Sequence, residues 1–366
     1  MVVKEQEIIL RRARGYAPVS ITLPFNLQKR TLAVGANQKS SVAIGFDNRV
    51  ILSPHIGDLD GIASVEYFKE NIENLKRIYS FNPELIVHDK HPNYESSKYA
   101  KVQEIERKEV QHHYAHILGV MAEKKITQKV LGVAFDGTGY GDDGKLWGGE
   151  FMLCDYEGYE RVAHLNYFKL LGGAKAIKEP KRVALSLLFD VYEDEVLSLE
   201  NATTKAFTPS ELKTQYLMWK KGLNAPLSSS MGRLFDAVAS LTDVCQVMSF
   251  EGESGMQMEE FYDASVTTFY EFGFKDGIID TLPIIKAISE ENNSVVAISK
   301  FFNTLVEIIE SLHKKYDLPL VLSGGVFQNR VLLGLVLERI PTVIIGNKIP
   351  PNDGGIALGQ VVGNIR

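Results

Sequence analysis

The chain has 366 residues, enough for two lobes with sizeable cores and more than one ordinary domain needs. A hydrophobic fraction of 45% and a charged fraction of 23% are ordinary for a soluble protein, and a net charge of −6 argues against nucleic acid as the main partner. Two cysteines, Cys154 and Cys245, with no C-x-x-C pair, exclude a cysteine zinc ribbon and a disulfide framework and fit a reducing cytosol.

Residues 1–7 alternate charge with valine and do not read as a secretory leader. Apolar runs such as 319–322 and 343–345 are far too short to span a membrane, so a cytoplasmic setting without membrane contact is expected. The basic residues Lys4, Arg11, Arg12 and Arg14 form a local patch or, equally, the solvated face of a strand.

In chain order, residues 8–10 suggest a short strand that is stopped by the Gly and Pro of RRARGYAP at 11–18, with a connector at 26–30. Residues 31–35 and 41–46 are β-prone, and Asp47-Asn48 turns a hairpin into 50–53. Helical spacing of Val65, Phe68, Ile72 and Leu75 marks a helix over 62–79, followed by a strand at 83–88 and a helix over 110–123. A second hairpin unit occupies 129–136, 147–154 and 159–165, about a hundred residues after the first. From 168 onward the chain reads as mainly helical, with helices at 180–188, 209–220, 232–241, 253–270 and 294–316. A strand at 320–322, a helix from 328, a strand at 343–345 and a helix from 354 complete it.

His112 and His116 stand four apart on a predicted helix, so both imidazoles leave one face at a separation suited to a single ion. Taken alone, such a pair is more often structural than ligating. His113, a third of a turn away, is expected behind the pair or outward. Asp136 follows the apolar run 130–135 and precedes Gly137-Thr138-Gly139, so it is expected to end its strand at a cleft. Asp353, in Pro350-Pro351-Asn352-Asp353-Gly354-Gly355, is either a similar cleft carboxylate or a helix N-cap. Two His and two Asp form a mixed N/O set that suits Zn(II) or Fe(II) better than Mg(II).

Gly139-x-Gly141-x-x-Gly144 matches the dinucleotide fingerprint only formally, because a strand and not a helix follows it. Gly324-Gly325, between a strand and a helix that begins near Asn329, is either an anion-binding turn or simply a tight one. Gly232 and Asp236 lie one helical turn apart. Asp236 is a ribose acceptor if it faces a cleft and an ordinary exposed carboxylate if it does not.

The stretches 11–18 (RRARGYAP), 53–59 (SPHIGDL), 110–116 (VQHHYAH), 136–141 (DGTGYG), 147–151 (WGGEF), 230–239 (SMGRLFDAVA), 323–329 (SGGVFQN) and 353–360 (DGGIALGQ) appear in one order. In that order the chain resembles the hydrogenase-maturation carbamoyltransferase family HypF, in the part that is similar to the tRNA threonylcarbamoyl-transferase TsaD. The resemblance implies an α/β, two-lobed actin/Hsp70-like nucleotide-binding fold. It implies that His112, His116, Asp136 and Asp353 bind a divalent metal, Zn or Fe. It also implies that Gly232, Asp236, Gly325 and Asn329, with Gly324 of the paired-glycine turn, hold ATP or carbamoyl-adenylate, with Mg as a companion of the nucleotide. No catalytic residue beyond the metal ligands is expected, and neither cysteine is expected as nucleophile.

The implied activity is transfer of a carbamoyl group from carbamoyl-adenylate to a cysteine thiol of HypE, toward the cyanide ligands of NiFe hydrogenase. Full-length members of the family begin with further domains. Residues 1–25 are therefore expected to be the remnant of a YrdC-like domain plus linker, 26–167 an N-terminal lobe and 168–366 a C-terminal lobe, performing the last step only. The alternatives are a HypE-docking module without its own activity, an O-carbamoyltransferase and a tRNA threonylcarbamoyl-transferase relative.

Overall fold

The computed structural model describes residues 1–13 and 15–363, so Arg14 of the basic patch lies outside the described residues. The first sheet begins with β1 (Val19–Thr22), followed by the meander β2 (Thr31–Ala33), β3 (Ala43–Phe46) and β4 (Arg49–Leu52). The expected turn at Asp47 joins β3 to β4, with Asp47 at φ 50° in the left-handed region that such a two-residue turn requires. Helix α1 (Ile62–Ile78), β5 (Leu85–Asp89), α2 (Glu95–Lys101), β6 (Glu106–Val110) and α3 (His112–Lys124) follow. The sheet order is β1-β4-β3-β2-β5-β6, with β5 parallel to β2 and β6 parallel to β5.

The second half repeats this plan. Strands β7 (Val130–Tyr140), β8 (Leu146–Cys154) and β9 (Tyr159–Leu165) form an antiparallel meander. After α4 (Pro180–Tyr192), α5 (Met231–Leu241), α6 (Glu253–Met258), α7 (Leu282–Glu290) and α8 (Ser294–Tyr316), strand β10 (Leu320–Ser323) joins β7 in parallel. Helix α9 (Arg330–Arg339), β11 (Ile344–Ile345), parallel to β10, and α10 (Ile356–Val362) close the chain. The order β9-β8-β7-β10-β11 is the order β4-β3-β2-β5-β6 over again. Two copies of one unit, each a three-stranded meander followed by two parallel strands, are the two lobes of an actin/Hsp70-like α/β fold.

Helices α3 and α10 lie between the sheets, in one buried cluster with Ala33 and Val50 of the first sheet and Val130 and Met152 of the second. Separate cores cover the outer faces. Phe68 and Ile72 of α1 pack on the first sheet, and α4, α5 and α8 pack on the second. Because α3 is sandwiched, it is buried on every side from His112 through Ala122. Its axis approaches α10 so closely that a Cβ on Gly359 would lie 1.8 Å from the Ala115 carbonyl oxygen. Only glycine fits there, and the contact fixes the start of α3 beside the loop that precedes α10.

Several expectations are corrected. Residues 8–10 form no strand; a small hairpin pairs Val2–Val3 with Gln6–Glu7 instead. Strands β1 and β6 and helices α2 and α7 were not expected. The helix expected over 253–270 ends at Met258, followed by the short turn Glu259–Phe261. Beyond it, side chains of α8 claim the backbone polar groups: the Asp263 N–H donates to Ser299 Oγ, Asn303 Nδ2 donates to the Val266 and Thr268 carbonyls, and the Tyr270 N–H donates to Thr304 Oγ1. The β-branched run Val266-Thr267-Thr268 also disfavours a helix. The first lobe was expected to extend to 167, but the hydrogen bonds of β7 with β10 place the second hairpin unit in the second sheet. Among the described residues, no helix is long and apolar enough to cross a membrane.

Candidate functional site

The two histidines occupy the first turns of α3, whose start is set by Gln111. The Gln111 side-chain oxygen caps the Tyr114 N–H at 2.9 Å, and its amide nitrogen donates to the Tyr140 carbonyl on β7. Asp136 does not end its strand as expected. Residue 139 pairs with 147 and residue 135 with 149, so 136–138 face Gly148 alone across a bulge, and β7 continues to Tyr140. A bulge of this kind re-aims a side chain out of the pleat, here toward α3. Of the two readings of Asp353, the cap is excluded. Asn352 is the capping residue, its Oδ1 accepting from the Gly354 N–H at 3.0 Å, and Asp353 is left to face the histidines.

These four side chains converge. His116 Nε2 stands 2.9 Å from Asp136 Oδ2 and 3.6 Å from Asp353 Oδ1, while His112 Nε2 is 3.5 and 3.7 Å from the same two oxygens. One donor atom from each lies within 4.8 Å of every other, and all four residues are buried. Four donors around one ion at about 2.1 Å would stand about 3.4 Å apart. His112 Nε2 is buried without a hydrogen-bond partner, an orphaned ring nitrogen whose lone pair, once free of its proton, a bound cation would take up. The residues present therefore fit a divalent metal.

Burial opposes charge on every member of the group, yet mutual attraction wins. Asp353 and Asp89, with Asp136, hold the His112 imidazole well above its usual range, and Asp136 and Asp353 raise that of His116. In return the imidazoles hold Asp136 well below the ordinary carboxylate range and bring Asp353 to about 2. Each partner thus favours the charged form of the other, and a divalent cation bound here would take the place of the protons that the imidazoles attract.

Asp89, at the C-terminal end of β5, was missed in the sequence. Its Oδ2 accepts from His112 Nδ1 at 2.8 Å, while Oδ1 accepts from the His91 N–H. The signal that singled out Asp136, an acid closing an apolar run of strand residues, is broken at Asp89 by the intervening His88. His113 is buried and not outward. Its Nδ1 is 3.1 Å from Gln111 Nε2, its ring packs toward Trp147, and burial beside the charged neighbours keeps it well below the usual imidazole range.

The glycines proposed for a nucleotide gather at the edge of this centre. Gly324, at φ 105°, is so close to Phe135 that a Cβ would sit 2.2 Å from its carbonyl oxygen. The Gly325 N–H is 3.3 Å from Asp136 Oδ1, and a Cβ on Gly232 would be 2.9 Å from Gly137 Cα. Asp236 and Asn329 lie deeper, on either side of α6. Asp236 is not exposed: it accepts from Ser254 Oγ and pairs with Arg233 at 2.8 Å, and burial raises its carboxyl to about 6. Asn329 caps α9 through the Leu332 N–H, and its amide donates to the Gly255 carbonyl. Cys154 is buried in β8, and burial pushes its thiol and that of Cys245 upward, which suits neither to be a nucleophile.

Comparison with known proteins agrees with this picture. Residues 132–360 match the family described as "Carbamoyltransferase, Kae1-like Domain, second subdomain", and residues 26–123 match "HypF Kae1-like domain". The carbamoyltransferase HypF of Synechocystis sp. is 39% identical over 100% of this chain, and the chain spans about half (51%) of that relative's length. The solved structure of full-length HypF in a phosphate- and nucleotide-bound form is 38% identical and superposes with a TM-score of 0.91, covering 98% of this chain and 59% of that one. HypF of T. kodakarensis is 30% identical with a TM-score of 0.86, over 99% of this chain and 50% of its own.

Proposed function

Because the chain belongs to the HypF carbamoyltransferase family and matches its Kae1-like region, we propose that it catalyses the terminal transfer of a carbamoyl group from carbamoyl-adenylate to a cysteine thiol of HypE, in the cytoplasm, during NiFe hydrogenase maturation. The single observation that carries this reading is the contact between the two parts of the site. Asp136 belongs to the buried quartet, and its second oxygen meets the backbone N–H of Gly325 in the paired-glycine turn. An ion held by the quartet and an anion held by the turn would share one wall.

The acceptor thiolate sulfur attacks the carbamoyl carbon. A sulfur–carbon bond forms, the carbon–oxygen bond to the adenylate phosphate breaks, and AMP leaves with the electron pair, giving a thiocarbamate on HypE. A divalent ion, Zn or Fe, held by His112, His116, Asp136 and Asp353, would supply Lewis-acid polarisation. The protein's own contribution is positional. Asp89 fixes the ring of His112, and the bare backbone at Gly324 and Gly325 lets a phosphate approach. Gly232, Asp236 and Asn329 are the residues we assign to the adenosine side of ATP or carbamoyl-adenylate, with Mg as the nucleotide's companion.

A second reading, a nucleotide-binding platform that docks HypE without chemistry, shares every contact named above. Mass spectrometry of HypE after incubation with this chain and carbamoyl-adenylate separates the two. A carbamoyl-sized mass gain on HypE supports transfer, and a complex without that gain supports the platform.

A further inference from the structure

The segment 53–59 stood out in the sequence, yet none of its side chains reaches the quartet. Its backbone is laced instead to the loop between β2 and β3. The Ser40 N–H donates to the Gly57 carbonyl at 2.9 Å, the Ile56 N–H to the Ser40 carbonyl at 2.8 Å, and the Leu59 N–H to the Asn37 carbonyl at 2.9 Å. What this lacing encloses is Lys39, a non-glycine residue at φ 46°. That conformation is unfavourable for a side chain-bearing residue and persists where surroundings enforce it. Here Asp58 Oδ1 accepts from the Lys39 N–H at 2.7 Å, and the His55 ring lies beside the Lys39 backbone.

The consequence is the aim of the Lys39 side chain. It is only 19% exposed, and its ammonium lies 2.5 Å from Glu251 Oε2, an acid of the second lobe just before α6. The other Glu251 oxygen lies beside Gly137, the neighbour of Asp136. The ammonium also feels the carboxylates of Asp353 and Asp136, and with Glu251 they outweigh its burial and keep it protonated. A cation anchored by Glu251 thus stands near enough to the quartet to feel its carboxylates.

We infer that Lys39 is the side chain that receives the anionic phosphate of the ligand, that Asp58 and His55 position it by holding the left-handed turn, and that Glu251 occupies the ammonium until an anion displaces it. This rests on the nucleotide reading given above. An ion pair at the surface with no further role contributes little, and its loss would not alter anion binding. A cation shared between a carboxylate and a ligand behaves differently: removing the cation weakens binding, while removing the competing carboxylate strengthens it.

Calorimetric titration of the full chain with AMP and with inorganic phosphate tests this. Lys39→Met should weaken both ligands tenfold or more, Lys39→Arg should restore most of the loss, Asp58→Ala should fall between them, and Glu251→Gln should bind several-fold more tightly than wild type. Wild-type binding of phosphate but not AMP would remove the nucleotide reading while the Lys39 series still decides the assignment. Wild-type affinity in Lys39→Met, or weaker binding in Glu251→Gln, overturns the inference, as does a wild-type chain that binds neither ligand.

Discussion

Asp89 Oδ2 accepts a 2.8 Å hydrogen bond from His112 Nδ1, with both side chains fully buried. With a carboxylate as acceptor, Nδ1 must carry the proton, so Nε2 is the nitrogen turned toward Asp136 and Asp353. An acid behind a ligating imidazole fixes both ring orientation and tautomer, and its loss commonly costs ten- to a hundredfold in metal affinity. Asp89→Ala is therefore expected to retain all four ligands but bind Zn(II) about ten- to a hundredfold more weakly. Competition titration against a chromophoric chelator measures this, and an unchanged affinity would detach Asp89 from the centre.

Metal uptake should release protons. Burial works against the imidazolium form of His112 and His116, but the neighbouring carboxylates outweigh it and hold both above the ordinary imidazole value of about 6.5, so in the metal-free chain protons compete with a metal for these rings. A ligating imidazole must be neutral. Raising the pH through the elevated values removes the competing protons, and apparent metal affinity must rise with pH and level off once both rings are neutral. Net proton release on metal uptake is expected, falling as the pH rises, measured by titration in buffers of different ionisation enthalpy. A pH-independent affinity would contradict this proton competition.

Gly359 tests how the fold positions the site. A methyl group there would sit 1.8 Å from the Ala115 carbonyl, one residue from His116, so α3 and α10 would have to separate. Gly359→Ala is expected to destabilise the protein by about 3 kcal/mol or more and to weaken metal binding, since α3 carries His112 and His116 and Asp353 lies just before α10. Thermal unfolding followed by metal analysis gives both readouts. Wild-type stability would mean that the helix crossing is looser than the geometry indicates.

The plan of the fold was legible wherever local pattern and global role coincide. The two hairpin units announced themselves by alternating strands around turns such as Asp47-Asn48, and they became the equivalent meanders of the two lobes. What local pattern does not encode is partnership. Nothing within residues 130–165 says that β7 will pair with β10, more than a hundred residues later, so the lobe boundary was misplaced. Strand β6 is an exposed edge with the sequence Glu106-Arg107-Lys108-Glu109-Val110, whose charges conceal it. The convergence of His112, His116, Asp136 and Asp353 was legible because their residue types are distinctive, and the structure brings the four together. Asp89 and Lys39 were not, since each acts through a neighbour brought close only by folding, His112 in one case and Glu251 in the other. The exposed alternative for Asp236 fails because sequence shows an acid on a helix but not how Arg233 and Ser254 pack against it.

The most direct test of the central claim is the metal content of the purified chain and of His116→Ala, whose Nε2 is 2.9 Å from Asp136 in the quartet. Elemental analysis after loading with Zn(II) or Fe(II) and desalting should give about one ion per wild-type chain, as a single four-donor site requires, and essentially none in the soluble, folded variant. Equal metal content in the two proteins would contradict the assignment of His112, His116, Asp136 and Asp353 as one metal centre, and with it the chemistry built on that centre.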